Sequence, residues 1–535
     1  MRGLQNVNCG VLGHVDSGKT ALCRSLHEIA STASMDKHPQ SRERGITIDL
    51  GFSSFMLAST GTGVRTQITL VDCPGHASLL KTVLAGAQII DMCVLVLDAR
   101  KGFQAQTVEC VVIAEIVTTR LIVAVNKIDL IDVSERASYI TKMESGIRKA
   151  MGNTVFGPGL PIVFVSATET LGLGVLTDTM SRLLDDPPRR DSTGCFNFAF
   201  DHCFSLKGQG TVFTGTILSG EVRKGQKVAL NGNEAGEVRS IQMFRCPVTS
   251  ASQGDRVGLG VPGISANGRE RGELCDPNAT FETGNIVLSV IQRVKQFKGM
   301  LDNSKLHITT GHTQCMASPI FLRLGDKVTY ESLKSGGSDD RSHRGCLGSG
   351  YLAKQLDIQW ESVYRYLQET AEINLLDDFD EVHPDEPILC LLLLDRRIKF
   401  RYQSLFVASR LDLNDDHKGC RIAFFGRVVH VNLKHFQAKV IKEKVKIGRV
   451  ERIIDATSCL VSGLMRKGGD ISRVSGLRVI NPRIRSTGVI ESSFGKSGLV
   501  KVLFESGIDC DSLGDSISLK TKHEAISKLV ESHVE

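Results

Sequence analysis

The sequence predicts a multidomain chain in which an α/β domain at the N-terminus is followed by β-barrel domains. Three observations predict it. Over the first 190 residues, apolar β-rich runs alternate with helical patterns, as in a parallel sheet wrapped by helices with its ligand loops at the carboxyl ends of the strands. Beyond residue 190 helical patterns nearly vanish, and short β-type runs separated by glycine turns continue to residue 433. The length, 535 residues, corresponds to roughly three to four domains.

In the first domain the expected strands are Val7–Leu12, Gln67–Val71, Met92–Asp98, Leu121–Asn126 and Ile162–Val165. The expected helices are Lys19–Ile29, Ala77–Ala85, Gln104–Ile116 and Val133–Ala150. Asp185-Asp186-Pro187-Pro188-Arg189-Arg190 breaks the alternation and reads as a linker. The expected boundaries are 1–190 for the α/β domain, 191–280 and 281–433 for two barrels, and 434–535 for a basic β-rich domain. Residues 335–350, rich in Gly, Ser and charge, read as a mobile surface loop. In the basic domain, strands are expected at Ala438–Val445, Leu477–Ile480, Gly488–Glu491 and Gly498–Phe504.

Composition excludes several classes. With 41% hydrophobic and 23% charged residues the chain is neither disordered nor fibrous. The longest apolar stretches, around Val94–Leu97 and Ile388–Leu394, fall far short of the ~20 residues that span a bilayer, and the first apolar run leads into a glycine-rich loop with no cleavage site. Fifteen cysteines include no Cys-x-x-Cys pair, and most sit singly in apolar runs (Cys9, Cys93, Cys390), where cysteine acts as a small buried hydrophobe. A reduced, cytoplasmic chain follows, with no membrane partner. The net charge of +6 is uneven: Lys434 to Lys501 holds 15 Lys/Arg against 5 Asp/Glu, a local excess of +10 that suits a polyanion.

The chemistry is concentrated near the N-terminus. Gly13-His14-Val15-Asp16-Ser17-Gly18-Lys19-Thr20 fits G-x-x-x-x-G-K-[ST], follows an apolar strand and opens a helical pattern. Its glycines let backbone N–H groups curl around phosphate oxygens, Lys19 reaches the β- and γ-phosphates, and Thr20 offers a hydroxyl to Mg²⁺. Asp72-Cys73-Pro74-Gly75-His76 ends a central strand, where the Asp72 carboxylate can hold Mg²⁺ through water and the Gly75 N–H can meet the γ-phosphate. Asn126-Lys127-Ile128-Asp129 ends a later strand. There Asp129 can accept from guanine's N1–H and exocyclic amine, Asn126 can contact the purine edge, and the Lys127 stem can cover the base. Ser166-Ala167 suits a backbone contact to the guanine oxygen. Four such elements in this order specify GTP, so the expected fold class is an α/β P-loop GTPase domain followed by β-barrel domains.

Arg42-Glu43-Arg44-Gly45-Ile46-Thr47 resembles the first switch of translational GTPases, which implies that Thr47 binds Mg²⁺ and senses the γ-phosphate. His76 resembles the histidine that orients the attacking water in those factors once the ribosome aligns it. The chemistry needs positioning and charge stabilisation, and no helper arginine is identifiable, so slow intrinsic hydrolysis is expected. Lys207-Gly208-Gln209-Gly210-Thr211-Val212-Phe213-Thr214-Gly215 resembles the β-barrel signature that follows the GTPase domain in elongation factor Tu and its relatives.

Residues 36–47, Asp49-Leu50-Gly51-Phe52, Asp201-His202-Cys203-Phe204-Ser205, Gln253-Gly254-Asp255-Arg256, Val450-Glu451-Arg452 and Ser493-Phe494-Gly495-Lys496-Ser497-Gly498 together resemble the selenocysteine-specific elongation factors of eukaryotes and archaea. The resemblance implies binding of selenocysteinyl-tRNA and delivery to a ribosome at a recoded UGA codon, by a monomer that exchanges GDP for GTP spontaneously. It places the aminoacyl pocket at Asp201, His202 and Arg256. A selenol is largely ionised at neutral pH, whereas a serine hydroxyl is not and a free thiol titrates near ~8.5. Two cationic side chains beside a carboxylate favour the anion. The bacterial winged-helix array is absent from the sequence, and the chain ends soon after residue 520, where some eukaryotic relatives carry a longer basic tail. Recognition of the messenger hairpin (the SECIS RNA) is therefore expected through a separate SECIS-binding protein or through the basic domain. Delivery of another aminoacyl- or initiator tRNA, and a regulatory GTPase with an RNA-binding domain, remain the alternatives.

Overall fold

A computed structural model describes residues 4–27, 29–30, 51–57, 65–74, 89–185, 188, 190, 192, 194–206, 210–244, 246–265, 271–279, 281–299, 301, 304–311, 313–323, 372–375, 388–401, 404–412, 419–431, 439–495, 497–508 and 512–524. The chain divides into two compact units. One holds the described residues up to Ile320 together with those of Val382–His435; the second holds those of Phe321–Val328, Arg365–Glu381 and Phe436–Glu535. No helix among the described residues is long and apolar enough to cross a membrane.

The first domain runs β1 (Leu4–Leu12), α1 (Lys19–Leu26), β2 (Ile29–Ala30), β3 (Gly51–Leu57), β4 (Arg65–Asp72), β5 (Met92–Asp98), α2 (Ala105–Val117), β6 (Leu121–Asn126), α3 (Arg136–Met151), β7 (Ile162–Phe164) and α4 (Leu173–Leu183). The sheet order is β2-β3-β4-β1-β5-β6-β7. All five expected strands form, and the pairs from β4 through β7 are parallel. Three elements differ from expectation. The first helix stops at Leu26, because Ile29 belongs to β2. The helix expected at Val133–Ala150 begins at Arg136. The sheet is mixed, since β3 and β4 pair antiparallel: residues 58–64 are too few for the crossover of a dozen or more residues that a parallel pair needs. The expected helix Ala77–Ala85 and the loop 335–350 lie outside the described residues.

Period-two alternation sorts the strands into two chemically different faces. Val7, Cys9 and Val11 of β1, Phe55 and Leu57 of β3 and Ile68 and Leu70 of β4 are buried in one core with Leu22, Cys23, Leu176 and Met180 of α1 and α4. The opposite face of the same strands is buried and polar: Asn6, Asn8, Ser54, Gln67 and Thr69. In register, Asn6 lies opposite Gln67, Asn8 opposite Thr69 and Thr69 opposite Ser54. Cys9, Cys93 and Cys390 are fully buried small hydrophobes, and burial raises all three thiol pKa values.

From Asn197 the unit is built of strands. Asn197–Leu206, Gly210–Ser219 and Arg256–Val261 lie side by side in an eight-stranded sheet. Phe196, Phe198 and Phe200 alternate into its core, where Phe213 meets Phe200 edge-on at 4.9 Å between ring centroids. Further on, Phe281–Arg293 lies between Ile388–Arg401 and Ile422–Val431. This part is joined to the first domain by a buried ion pair. Glu109, on α2, accepts from Arg421 Nε at 2.7 Å, Nη2 at 2.8 Å and backbone N at 3.1 Å.

In the second unit Lys439–Ile453, Ser458–Ser462, Leu499–Phe504, Ser486–Phe494, Arg478–Asn481 and Ser516–Glu524 pair in that order, and the last returns to the first. The six strands close into a barrel around Val450, Val461, Val479, Val502, Phe504 and Leu519. All four strands expected in this basic domain are present, the first reaching well past its expected end, because Val450 and Ile453 keep pairing with the next strand.

Glu109→Ala is expected to destabilise the first unit by about 3–5 kcal/mol, because a buried guanidinium loses its carboxylate. A lowered urea midpoint in that unit, with the second unit's transition unmoved, is the outcome expected.

Candidate functional site

The loop between β1 and α1 is held in a shape that excludes side chains at two points. Gly13 and Gly18 have φ of 148° and 90°. A Cβ at Gly13 would lie 2.4 Å from the Val96 carbonyl oxygen, and one at Gly18 would lie 2.2 Å from Asn126 Nδ2. No side chain caps the N-terminus of α1, the positive end of the helix, which opens directly from the loop. Lys19 is buried, and its ammonium donates to the carbonyls of Gly13 at 3.0 Å and His14 at 2.7 Å. Burial lowers its pKa, opposed by neighbouring groups that include Asp72. The Ser17 hydroxyl is buried with no hydrogen-bond partner among the described residues. Thr20 Oγ1 donates to Asp72 Oδ2 at 2.7 Å, and Asp72 is wholly buried at the end of β4.

Asn126 ends β6 and ties two loops together: Nδ2 donates to Ser17 O and Oδ1 accepts from Ala167 N, both at 3.0 Å. Lys127 follows in the left-handed region, φ 67°, and its ammonium donates to Asp16 O and, at 2.8 Å, to Asp98 Oδ2. Burial raises the Asp98 pKa, but the Lys127 ammonium, the Arg100 backbone N–H and Lys101 together outweigh it and hold the carboxyl below its ordinary value. Asp129 comes next, in the short turn Ile128–Leu130; its Oδ1 is buried and has no hydrogen-bond partner among the described residues. Ser166 is buried, and its hydroxyl accepts from Glu169 N at 3.2 Å. A glycine-walled cradle, a buried lysine and an orphaned carboxylate oxygen fit a guanine nucleotide, and the Thr20–Asp72 pair fits Mg²⁺. Thr47, Gly75 and His76 lie outside the described residues.

The second constellation assembles on the barrel that follows. Phe200 and His202 pair with Gly215 and Thr214, leaving Asp201 as the extra residue of a β-bulge. A bulge re-aims a side chain, and here it turns Asp201 to Arg256 at the start of the next strand but one, across Gly210–Ser219. Arg256 Nη1 and Nη2 donate to the two Asp201 oxygens at 2.6 and 3.0 Å, and His202 Nδ1 lies 2.9 Å from Oδ1. Burial raises the Asp201 pKa, but Arg256 and His202 reverse this and bring it down to about 2. The three residues thus come together, with unequal access. The Arg256 side chain is 3% exposed and its guanidinium lies 3.3 Å above the Phe52 ring of β3, whereas His202 is 45% exposed.

The sequence reading did not identify what seats this barrel on the GTPase domain. Gly254, two residues before Arg256, accepts at its carbonyl from Asn6 Nδ2 at 2.7 Å and Asn8 Nδ2 at 2.9 Å. Arg190, assigned only to a linker, donates to both Asp91 oxygens at 2.8 and 2.7 Å and to Asn6 O at 2.8 Å. The available signal was the alternation of asparagines through an otherwise apolar β1.

Comparisons with known proteins match the domains in this order. The model "Elongation factor Tu GTP binding domain" matches residues 4–186 and "Elongation factor Tu domain 2" matches 210–275. "Selenocysteine-specific elongation factor, eukaryotes, 3rd domain" matches 287–426, and "eEFSec C-terminal RIFT domain" matches 436–534. The mouse selenocysteine-specific elongation factor is 37% identical over 95% of this chain and 89% of its own length. That of Methanocaldococcus jannaschii is 29% identical over 97% of each. The apo crystal structure of translation elongation factor SelB from Methanococcus maripaludis superposes with TM-score 0.75 at 25% identity, over 98% of this chain and 100% of that one.

Asp129→Asn is expected to shift nucleotide preference from GTP toward xanthosine triphosphate, because an amide can donate where the carboxylate accepts. Competition binding to the folded variant checks it: an undiminished preference for GTP removes Asp129 from base reading.

Proposed function

The chain belongs to the selenocysteine-specific elongation factors, and from that premise we propose how its residues hold GTP and select an aminoacyl-tRNA. It is a GTP-dependent translation factor that hydrolyses GTP. The loop 13–20 cradles the phosphates, Lys19 exchanges its loop carbonyls for β- and γ-phosphate oxygens, and Asp129 takes the guanine donors. Asn126 acts first as a clip, keeping the phosphate loop and the Ser166-Ala167 loop at a fixed separation. Thr20, Asp72 and Thr47 are the residues that would hold Mg²⁺, which when bound neutralises charge on the phosphate oxygens. His76 orients the attacking water and acts only on the ribosome.

The observation that carries the specificity reading is the His202–Asp201–Arg256 relay. With Nδ1 of His202 facing Asp201, the Nε2 edge is the atom left for the aminoacyl group, a position from which an N–H can meet a selenolate. Asp201 and Arg256 position that ring. Serine, the amino acid first loaded on this tRNA, brings a neutral hydroxyl that gains less from a charged donor. The basic excess of residues 434–501 is assigned to an RNA or acidic protein partner at the recoded codon, and the factor to the cytoplasm as a monomer.

His202→Ala is expected to weaken selenocysteinyl-tRNA binding by about 1.5–3 kcal/mol, on the order of ten- to a hundredfold. Seryl-tRNA binding should change little, so filter binding of the two tRNAs gives the test: parallel losses would end the pocket assignment. For His76→Ala, GTP affinity should stay near wild type while ribosome-stimulated hydrolysis falls. Single-turnover phosphate release on ribosomes measures it, and a wild-type rate would remove His76 from catalysis.

A further inference from the structure

Phe52 belongs to neither site, yet it touches the residue that organises one and borders the residue that organises the other. It is 1% exposed on β3, on the face that carries Ser54, and its ring lies 3.3 Å beneath the guanidinium carbon of Arg256. That guanidinium makes the bidentate pair with Asp201, and Asp201 in turn holds His202. At the other end, Gly51 lies opposite Asp72 and Phe52 opposite Val71 in the β3–β4 register. Asp72 is the carboxylate that accepts from Thr20 of the phosphate loop. A continuous line of contacts therefore runs from Thr20 through Asp72 and β3 to Phe52, and from Phe52 through Arg256 and Asp201 to His202.

The stack matters because it helps to hold the plane of Arg256. Two parallel N–H···O bonds fix the guanidinium to Asp201 but leave it able to tilt about the carboxylate, and an aromatic face removes that freedom. Any shift of the β3 end beside Asp72 moves the ring one residue away and tilts the plate above it. Bonds from Asn6 and Asn8 to Gly254 O hold the turn before Arg256 against β1, with the Arg190 guanidinium packed beside Gly254.

We propose that Phe52 is a positioning residue that couples nucleotide state to the aminoacyl pocket, making the GTP form bind selenocysteinyl-tRNA better than the GDP form through its stack on Arg256. The inference rests on the pocket assignment above. Phe52→Leu keeps most of the apolar volume and removes the aromatic face; Phe52→Met does the same with a different shape, and Phe52→Tyr retains the face. Selenocysteinyl-tRNA affinity is measured for the full chain loaded with GDP or with a non-hydrolysable GTP analogue, beside nucleotide affinity and thermal stability.

In Phe52→Leu the ratio of affinities between the GTP and GDP forms is expected to fall on the order of tenfold, the size of a desolvated cation–π contact. Nucleotide affinity should be unchanged, Phe52→Met should repeat the loss, and Phe52→Tyr should restore the ratio. An unchanged ratio in whichever of the Leu and Met variants folds overturns the proposal, as does an equal loss in both nucleotide states, which is what a purely structural role gives. His202→Ala in the same assay separates the two claims. If it alters the preference for selenocysteinyl- over seryl-tRNA while Phe52→Leu leaves the ratio intact, only the coupling fails. If it leaves that preference unaltered, the pocket assignment fails and takes the coupling with it.

Discussion

Two side-chain amides converge on one carbonyl, and the relation between the two candidate sites depends on it. Asn6 and Asn8 both donate to Gly254 O, so the turn that precedes Arg256 is tied to the central strand of the GTPase domain. Gly254 itself has φ +87°, and a Cβ there would lie 2.1 Å from Arg190 Cζ. The close approach of a barrel turn to a sheet is therefore written into three side chains and one missing one. Given that anchor, Arg256 must emerge over β3, and Phe52 is the β3 residue it meets.

The polar sheet face also explains how this contact is made without an apolar interface. Buried amides and hydroxyls are costly unless bonded, and here Asn6, Asn8 and Thr69 bond to one another and across the contact, while Ser54 Oγ and Gln67 Nε2 have no partner among the described residues. Thr69 donates to Asn6 Oδ1 at 2.7 Å, and Arg190 meets both Asp91 oxygens. Desolvating Arg190–Asp91 or Arg421–Glu109 costs several kcal/mol per ion, which the pair's own attraction roughly offsets. Such pairs contribute little net stability and a great deal of geometric definition, because any displaced arrangement leaves a buried charge without its partner. That is the property a coupling between domains needs.

Legibility in the sequence followed the locality of the physics. The phosphate loop, Asp72 and the Asn126-Lys127-Ile128-Asp129 run are contiguous motifs whose backbone demands are visible in residue type, and β5 and β6 announced themselves by uninterrupted apolar runs. β3 did not, since Gly51–Leu57 mixes Ser53 and Ser54 into an apolar segment whose two faces are both buried. The roles of Arg190 and Phe52 were not legible either: the partners of Arg190 lie 99 and 184 residues away in the chain, at Asp91 and Asn6. The same holds for Arg256. Its charge invited a direct role toward an anion, and only its pairing with Asp201 reveals that the charge is already committed.

That commitment bears on how a factor of this family tells selenocysteine from serine. A free arginine in the pocket would attract any anion, phosphate included, and would do so from many orientations. An arginine bound to a carboxylate attracts far less, but it fixes the carboxylate, and the carboxylate fixes one edge of His202. In the proposed pocket, selectivity rests on a single, oriented donor rather than on a field of positive charge. A field falls off slowly and cannot distinguish the aminoacyl group from the tRNA backbone that carries it. On the proposed pocket, a hydrogen bond from one Nε2 is directional and is strengthened by a charged acceptor, which favours a selenolate over a serine hydroxyl.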